Sequence, residues 1–368
     1  RDFLVKDAWP HAETRGKNDQ RRERDEIEML RTINETLGDD PDLEGKYPQL
    51  ISAGVVRQFC GDDRQPMRDT TEHIYAMLDQ QVTRDVPRRI HKRIAMRPLG
   101  LSIRNVRSVD ELIVVAADIM KAHLAILRRC DILHRDLSPY NMLMTRDKDD
   151  MVHGLLVDFD CAAWASDEYA QPRANMTGTL PYMSIANLEE LEIKRTSLDD
   201  WESMIYILSW LGTFGINDDD EEKADLDRAL EIKEWAKGSA RISAEKKRWH
   251  MTSSNFLYCI ASRFLDGYSA LFNLILLLRN ALFDNPRMSP LARNARTDDI
   301  VQIELKWNNS TVDQETKGFL DEHMDKDILD PFARRAEFEK IISDDLWAVM
   351  AEAQRQALER IKRQKQNN

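Results

Sequence analysis

The residue types and spacing with the clearest chemical meaning lie at His134, Arg135, Asp136, Leu137, Ser138, Pro139, Tyr140 and Asn141. An aspartate and an asparagine five residues apart in one loop can address a single site. The carboxylate can orient a hydroxyl and accept its proton, while the amide oxygen can take a divalent metal. Downstream, Leu155, Leu156 and Val157 read as a strand running into Asp158. That places a second carboxylate at a strand end, where it can bind an ion bridging phosphate oxygens. Each piece alone is weak; their order points to phosphoryl transfer.

Several elements must hold these groups in place. Over residues 109–127, Leu112, Val115, Ile119, Met120, Leu124 and Leu127 recur at the three-and-four spacing of a core-facing helix. A loop over 131–141 follows it. Residues 142–144 and 152–157 read as two strands joined by the polar turn Asp147, Lys148, Asp149, Asp150. Residues 201–211 are apolar nearly all round, as in a buried helix.

Ahead of the loop, Phe3, Leu4 and Val5 form a short strand ending at Lys6. Ile27, Leu30 and Ile33 mark an amphipathic helix over 22–33. Residues 38–50 are rich in turn formers, and strands are expected over 54–59 and 88–96. Residues 73–82 fit a helix or an irregular insert equally well. The acidic run 218–222 reads as a solvated loop. After Pro290 the chain turns polar. A last helix, 344–362, then places Leu346, Met350, Ala353, Ala357 and Ile361 on one face, either packed on the body of the protein or offered to a protein partner. Its end is basic, with Arg360, Lys362, Arg363 and Lys365.

Composition bounds the rest. The 368 residues are 42% hydrophobic, enough for a sizeable core and too apolar for a disordered acidic chain. The most hydrophobic run, from Leu271 to Leu278, is interrupted by Asn273 and closed by Arg279, so no membrane span is expected. The formal net charge of -12 argues against non-specific nucleic-acid binding. Cys60, Cys130, Cys161 and Cys259 lack disulfide or metal-ligand spacing, which fits an intracellular compartment, cytoplasm or nucleus. No secretory leader is visible, and the start at Arg1 is read as a fragment or processed chain.

The segment from His134 to Asn141, followed by Asp158, resembles the catalytic loop and metal motif of protein kinases. More narrowly, residues 132–141, 157–162, 178–183 and 199–210 are similar to the fungal-type protein kinase family. That family carries a His-Arg-Asp-(Ile/Leu)-Ser loop, an Asp-Phe-Asp motif and an acidic start to the central helix. The resemblance runs from Leu4 to about Arg279. It implies an α+β, two-lobed protein-kinase-like fold. Residues 1–100 would form an incomplete small β-rich N-lobe, residues 101–290 a large helical C-lobe, and residues 291–368 a C-terminal helical extension.

Carried over by position, the resemblance makes Asp136 the catalytic base and gives Asn141 and Asp158 to the metal. Lys6 would pair the phosphates of ATP, and Glu28, with Glu23 and Glu26 as competitors, would hold Lys6. Met96 would close the hinge-side strand beside the nucleotide. Arg135 would be available to an activation-segment phosphate or carboxylate. Thr179 would support Asp136 where a peptide docks, and Asp199 would brace the catalytic-loop backbone. The implied activity is ATP- and magnesium-dependent transfer, with manganese as a substitute, to serine or threonine of a protein substrate.

Departures qualify the resemblance. Ser138 stands where most serine/threonine kinases place lysine, as it does in the fungal-type family and in choline and aminoglycoside phosphotransferases. Asp160 replaces a glycine. Ser184, Ile185 and Ala186 occupy the place of Ala-Pro-Glu, so the segment there is expected to be anchored by packing. The strands and glycine-rich loop that precede the kinase lysine are not found in this sequence, and the chain is read as N-terminally truncated rather than as a lidless pseudokinase. A small-molecule kinase and a catalytically weak scaffold are the alternative functions.

Overall fold

The computed structural model describes residues 3–10, 25–59, 66–68, 70–71, 89–166, 179–189, 195–216, 230–284 and 331–367. The expectations for 73–82, for the acidic run 218–222 and for Gly178 lie outside them. The chain is α+β, with small antiparallel sheets and several helices.

Strand β1 (Leu4–Ala8) carries Lys6 and continues two residues beyond the expected end. Helix α1 (Glu26–Leu37) follows; it begins later than its periodicity predicted, because the Asp25 side chain accepts the Ile27 N–H and caps it there. Ile27, Met29, Leu30, Ile33 and Leu37 make its buried face. The expected strand over 54–59 is split into β2 (Gln49–Val55) and β3 (Arg57–Phe59), the latter pairing with β4 (Pro66–Arg68). Strand β5 (Lys92–Arg97) lies between β1 and β2, antiparallel to both. Its register sets Ile94 opposite Lys6, and Met96 opposite both Leu4 and Leu50. Met96 is thereby buried in the sheet near its end.

A second sheet joins β6 (Leu101–Ser102) to the hairpin that follows loop 131–141. Helix α2 (Val109–Cys130) runs three residues past its predicted end, to Asp131 in a left-handed conformation. Loop 131–141 contains one short strand, β7 (Ile132–Leu133). Strands β8 (Met142–Arg146) and β9 (Val152–Leu156) form the predicted hairpin, and β10 (Ala163–Trp164) returns to pair with β7. Gly154 lets β9 lie directly on α2: a Cβ there would collide with the Val115 carbonyl oxygen. The Gly154 N–H instead donates to Asp118 at 3.1 Å, and Asp118 also receives Lys46 and Gln354.

The short helix α3 (Ile185–Leu188) precedes α4 (Ser197–Phe214), which is buried nearly all round, as its apolar sequence required. Helices α5 (Ala240–His250) and α6 (Ser269–Phe283) follow. The last helix, α7 (Pro331–Asn367), begins earlier than predicted and packs on α2, α4 and α6. Ile342, Leu346, Met350, Ala357 and Ile361 are buried there. Each of these side chains other than Ala357 contributes about 1.5–3 kcal/mol, whereas an exposed ion pair such as Arg128 with Asp344 contributes about 0–1 kcal/mol. Apolar packing therefore holds this helix, and its predicted face is spent inside the protein. Among the described residues no helix is long and apolar enough to cross a membrane.

Candidate active site

Helix α2 and hairpin β8–β9 carry the loop that holds Asp136. Both peptide groups flanking Arg135 are fixed. Its N–H donates to Asp200 at 3.2 Å, and its carbonyl accepts from Arg195 at 3.1 Å. These bonds hold Arg135 at φ 71°, a left-handed conformation that a non-glycine residue keeps only when its surroundings dictate it. Asp200 is buried and also meets His123 at 2.6 Å. Burial opposes its charge, but the hydrogen bonds from His123 and the Arg135 amide hold its carboxyl below the usual range. The brace expected from Asp199 is therefore supplied by Asp200. Asp199 instead accepts the Thr196 N–H at 2.8 Å at the start of α4, and the Ser184 hydroxyl at 2.9 Å.

His134 sits behind the loop. One ring nitrogen faces the Val157 carbonyl at 3.0 Å, and the other accepts the Asp136 N–H at 3.4 Å. Complete burial pushes its pKa down, so the ring is neutral and serves as a spacer between the loop and β9. Asn141 points back into the loop. Its amide nitrogen donates to the Asp136 carbonyl at 2.8 Å and to Asp136 Oδ2 at 3.3 Å, leaving Asn141 Oδ1 as the unspent ligand atom. Asp136 Oδ1 is buried without a hydrogen-bond partner. Burial raises the Asp136 pKa, aided by the negative charges of Asp158 and Asp200. A buried acceptor left unpaired is the geometry a hydroxyl donor would complete.

Asp158 follows β9 at φ 68° and is tied to the loop through the Val157 N–H, which donates to the Asn141 carbonyl at 3.1 Å. Lys6 reaches it from β1. The ammonium lies 2.8 Å from Asp158 Oδ1, 2.8 Å from Glu26 Oε1 and 3.1 Å from Asp160 Oδ2. Burial works against the Lys6 charge, but the three carboxylates outweigh it and raise its pKa. Burial and the neighbouring Asp160 push the Glu26 pKa up, and the Lys6 ammonium opposes them.

The partner of Lys6 is thus Glu26 and not Glu28. Helix phase explains the correction: Glu26 shares the buried face with Met29, Leu30 and Ile33, whereas Glu28 points outward, its side chain 58% exposed beside Arg31. The sequence reading missed Asp160 as a third contact of this lysine. Oxygen ligands from Glu26, Asp158 and Asp160 lie within 4.8 Å of one another. The three carboxyl groups give an all-oxygen donor set that suits a hard divalent cation.

Other predicted residues fall around this core. Ser138 is buried, and its carbonyl accepts the Asn141 N–H at 3.0 Å. Thr179 lines a small cavity with Asp136, Tyr182, Arg195 and Asp199 but makes no hydrogen bond to Asp136. Met96 is buried in the sheet beside β1.

Comparison with known families gives a match to fungal protein kinase over residues 1–212, more than half of the chain. No curated protein matches it.

Proposed function

Because the chain belongs to the fungal protein kinase family, we propose that this kinase-like phosphotransferase moves the terminal phosphoryl group of ATP to serine or threonine hydroxyls of proteins. The observation that carries the proposal is the unpaired, buried Oδ1 of Asp136 beside Asn141 and the Lys6 carboxylate cluster. In this reading the acceptor oxygen bonds to the terminal phosphorus, the bridging bond to ADP breaks, and the hydroxyl proton passes to Asp136. Lys6 pairs the phosphates and Glu26 holds Lys6 in place.

Magnesium, or manganese in its stead, would be held by Asp158 and Asn141, and when bound it supplies neutralisation of phosphate charge. Residues 1–100 then act as the small nucleotide-side lobe, 101–290 as the helical lobe, and 291–368 as an extension. A protein partner on α7 would meet its polar side. The ordered stretch from Thr179 into α3 supports a peptide acceptor, since it borders the Asp136 cavity.

Transfer of labelled terminal phosphate to generic protein acceptors tests the proposal, with Asp136→Ala and Asp158→Ala as controls. Label on serine or threonine that both substitutions remove is the expected result. Transfer only to small alcohols, or none from folded protein, overturns it.

A further inference from the structure

Ser184, Ile185 and Ala186 led us to expect that the segment beside the Asp136 cavity is anchored by packing. The structure bears this out, with Met183, Ile185 and Leu188 in one apolar cluster with Ala244 of α5, and it adds buried polar groups. Lys247 on α5 is fully buried, and its ammonium donates to the Met183 carbonyl at 2.6 Å and to the Leu180 carbonyl at 3.3 Å. The same ammonium lies 4.3 Å from the Tyr206 ring centroid and 5.9 Å from that of Trp235. From the opposite side, buried Glu202 on α4 accepts the Ile185 N–H at 2.7 Å and the Tyr206 hydroxyl at 2.6 Å. Two helices thus grip the carbonyl of residue 183 and the amide of residue 185, and between them the Ser184 hydroxyl donates to Asp199.

This arrangement is expensive. An ammonium buried without a directly bonded carboxylate loses its hydration, and burial pushes Lys247 down to about 7, with Glu202 opposing. An aliphatic side chain of similar length would fill the space without that cost, yet would take the donor from the buried Met183 carbonyl and the part-buried Leu180 carbonyl. The donors are what the site uses.

We propose that Lys247 and Glu202 form a polar latch that fixes residues 180–185 beside the Asp136 cavity and so sets how the acceptor is held. Lys247 is a positioning residue that acts through the segment. Its effect on turnover rests on the phosphotransferase reading, whereas the latch itself does not.

Hydrogen exchange on the whole chain reads the latch directly, because the Tyr182 and Ile185 amides are hydrogen-bonded within the held segment. In the wild type both amides exchange more slowly than the exposed Glu28 region of α1. In Lys247→Met they exchange about ten-fold faster or more, the size of one lost charged hydrogen bond, while α4 amides keep their rates. Steady-state kinetics add a second readout: KM for the protein acceptor rises about ten-fold and KM for ATP stays within about two-fold. Leu278→Ala, which destabilises the core elsewhere, lowers Tm without moving either the two amides or the KM ratio. Unchanged exchange in Lys247→Met overturns the latch, as does unprotected Ile185 in the wild type should Lys247→Met fail to fold. If the wild type transfers no phosphate, the kinase reading fails, and the exchange rates still decide the latch.

Discussion

Lys6 and Lys247 are both withdrawn from solvent, but their surroundings are opposite. Lys6, 23% exposed, stands among three carboxylates that overcome the burial cost and raise its pKa. Lys247 has no exposure, faces two carbonyls and two aromatic rings, and is pushed down to about 7. The first arrangement preserves a positive charge that an incoming anion can share with acids already in place. The second gives up charge stability to keep hydrogen-bond donors on a backbone segment. One arrangement keeps a charge that an anion can share; the other serves the chain itself.

Exchanging the roles would break this contrast, and the largest expected effect is at Lys6. Lys6→Met lowers kcat/KM for ATP by about 100-fold or more, the scale of losing one preorganised charge-stabilising donor. Lys247→Met leaves that value within about two-fold. Next comes a pH dependence that the Lys247→Met substitution removes. The unfolded chain keeps its proton up to the ordinary lysine value of 10.5, while the fold releases it near 7. Between those values the unfolded state binds more protons, so stability rises with pH; below about 7 both states hold the proton and the burial cost is full. Denaturant melts of wild type and Lys247→Met at pH 7.5 and 8.5 should diverge in favour of wild type by up to about 1.4 kcal/mol.

Around Lys6 the contrast sharpens further. Glu26→Gln should reduce kcat/KM by about ten-fold, the value of one charge-assisted hydrogen bond. Glu28→Gln should change activity by less than about two-fold and stability by no more than about 0.5 kcal/mol, as for an exposed residue with no buried contact. Chevron or melt data together with initial rates on the two variants check both.

The loop from His134 to Asn141 was legible because its groups lie close together in sequence, between a long periodic helix and an alternating hairpin. Glu26 was also within reach. Asp25 is a capping residue, and Glu26 is in phase with Met29, Leu30, Ile33 and Leu37, so counting the helix from its cap would have excluded Glu28. The same holds for Asp199, which stands three residues after Thr196 as the acidic member of a capping box and leaves the neighbouring Asp200 for the loop. Lys247, Glu202 and the third contact of Lys6 were not legible. Each depends on where distant elements settle: α5 against residues 180–183, and Asp160 against β1. No periodicity encodes a lysine's choice of carbonyls 64 and 67 residues away.

The most direct test of the two-lysine contrast is stabilisation by magnesium–ATP, measured as the rise in unfolding free energy of wild type, Lys6→Met and Lys247→Met at one ligand concentration. At about 100 times the wild-type Kd, wild type and Lys247→Met should both gain about 2.7 kcal/mol, and Lys6→Met less than about 0.5 kcal/mol. Equal gains for Lys6→Met and wild type would contradict the assignment of Lys6 to the nucleotide phosphates.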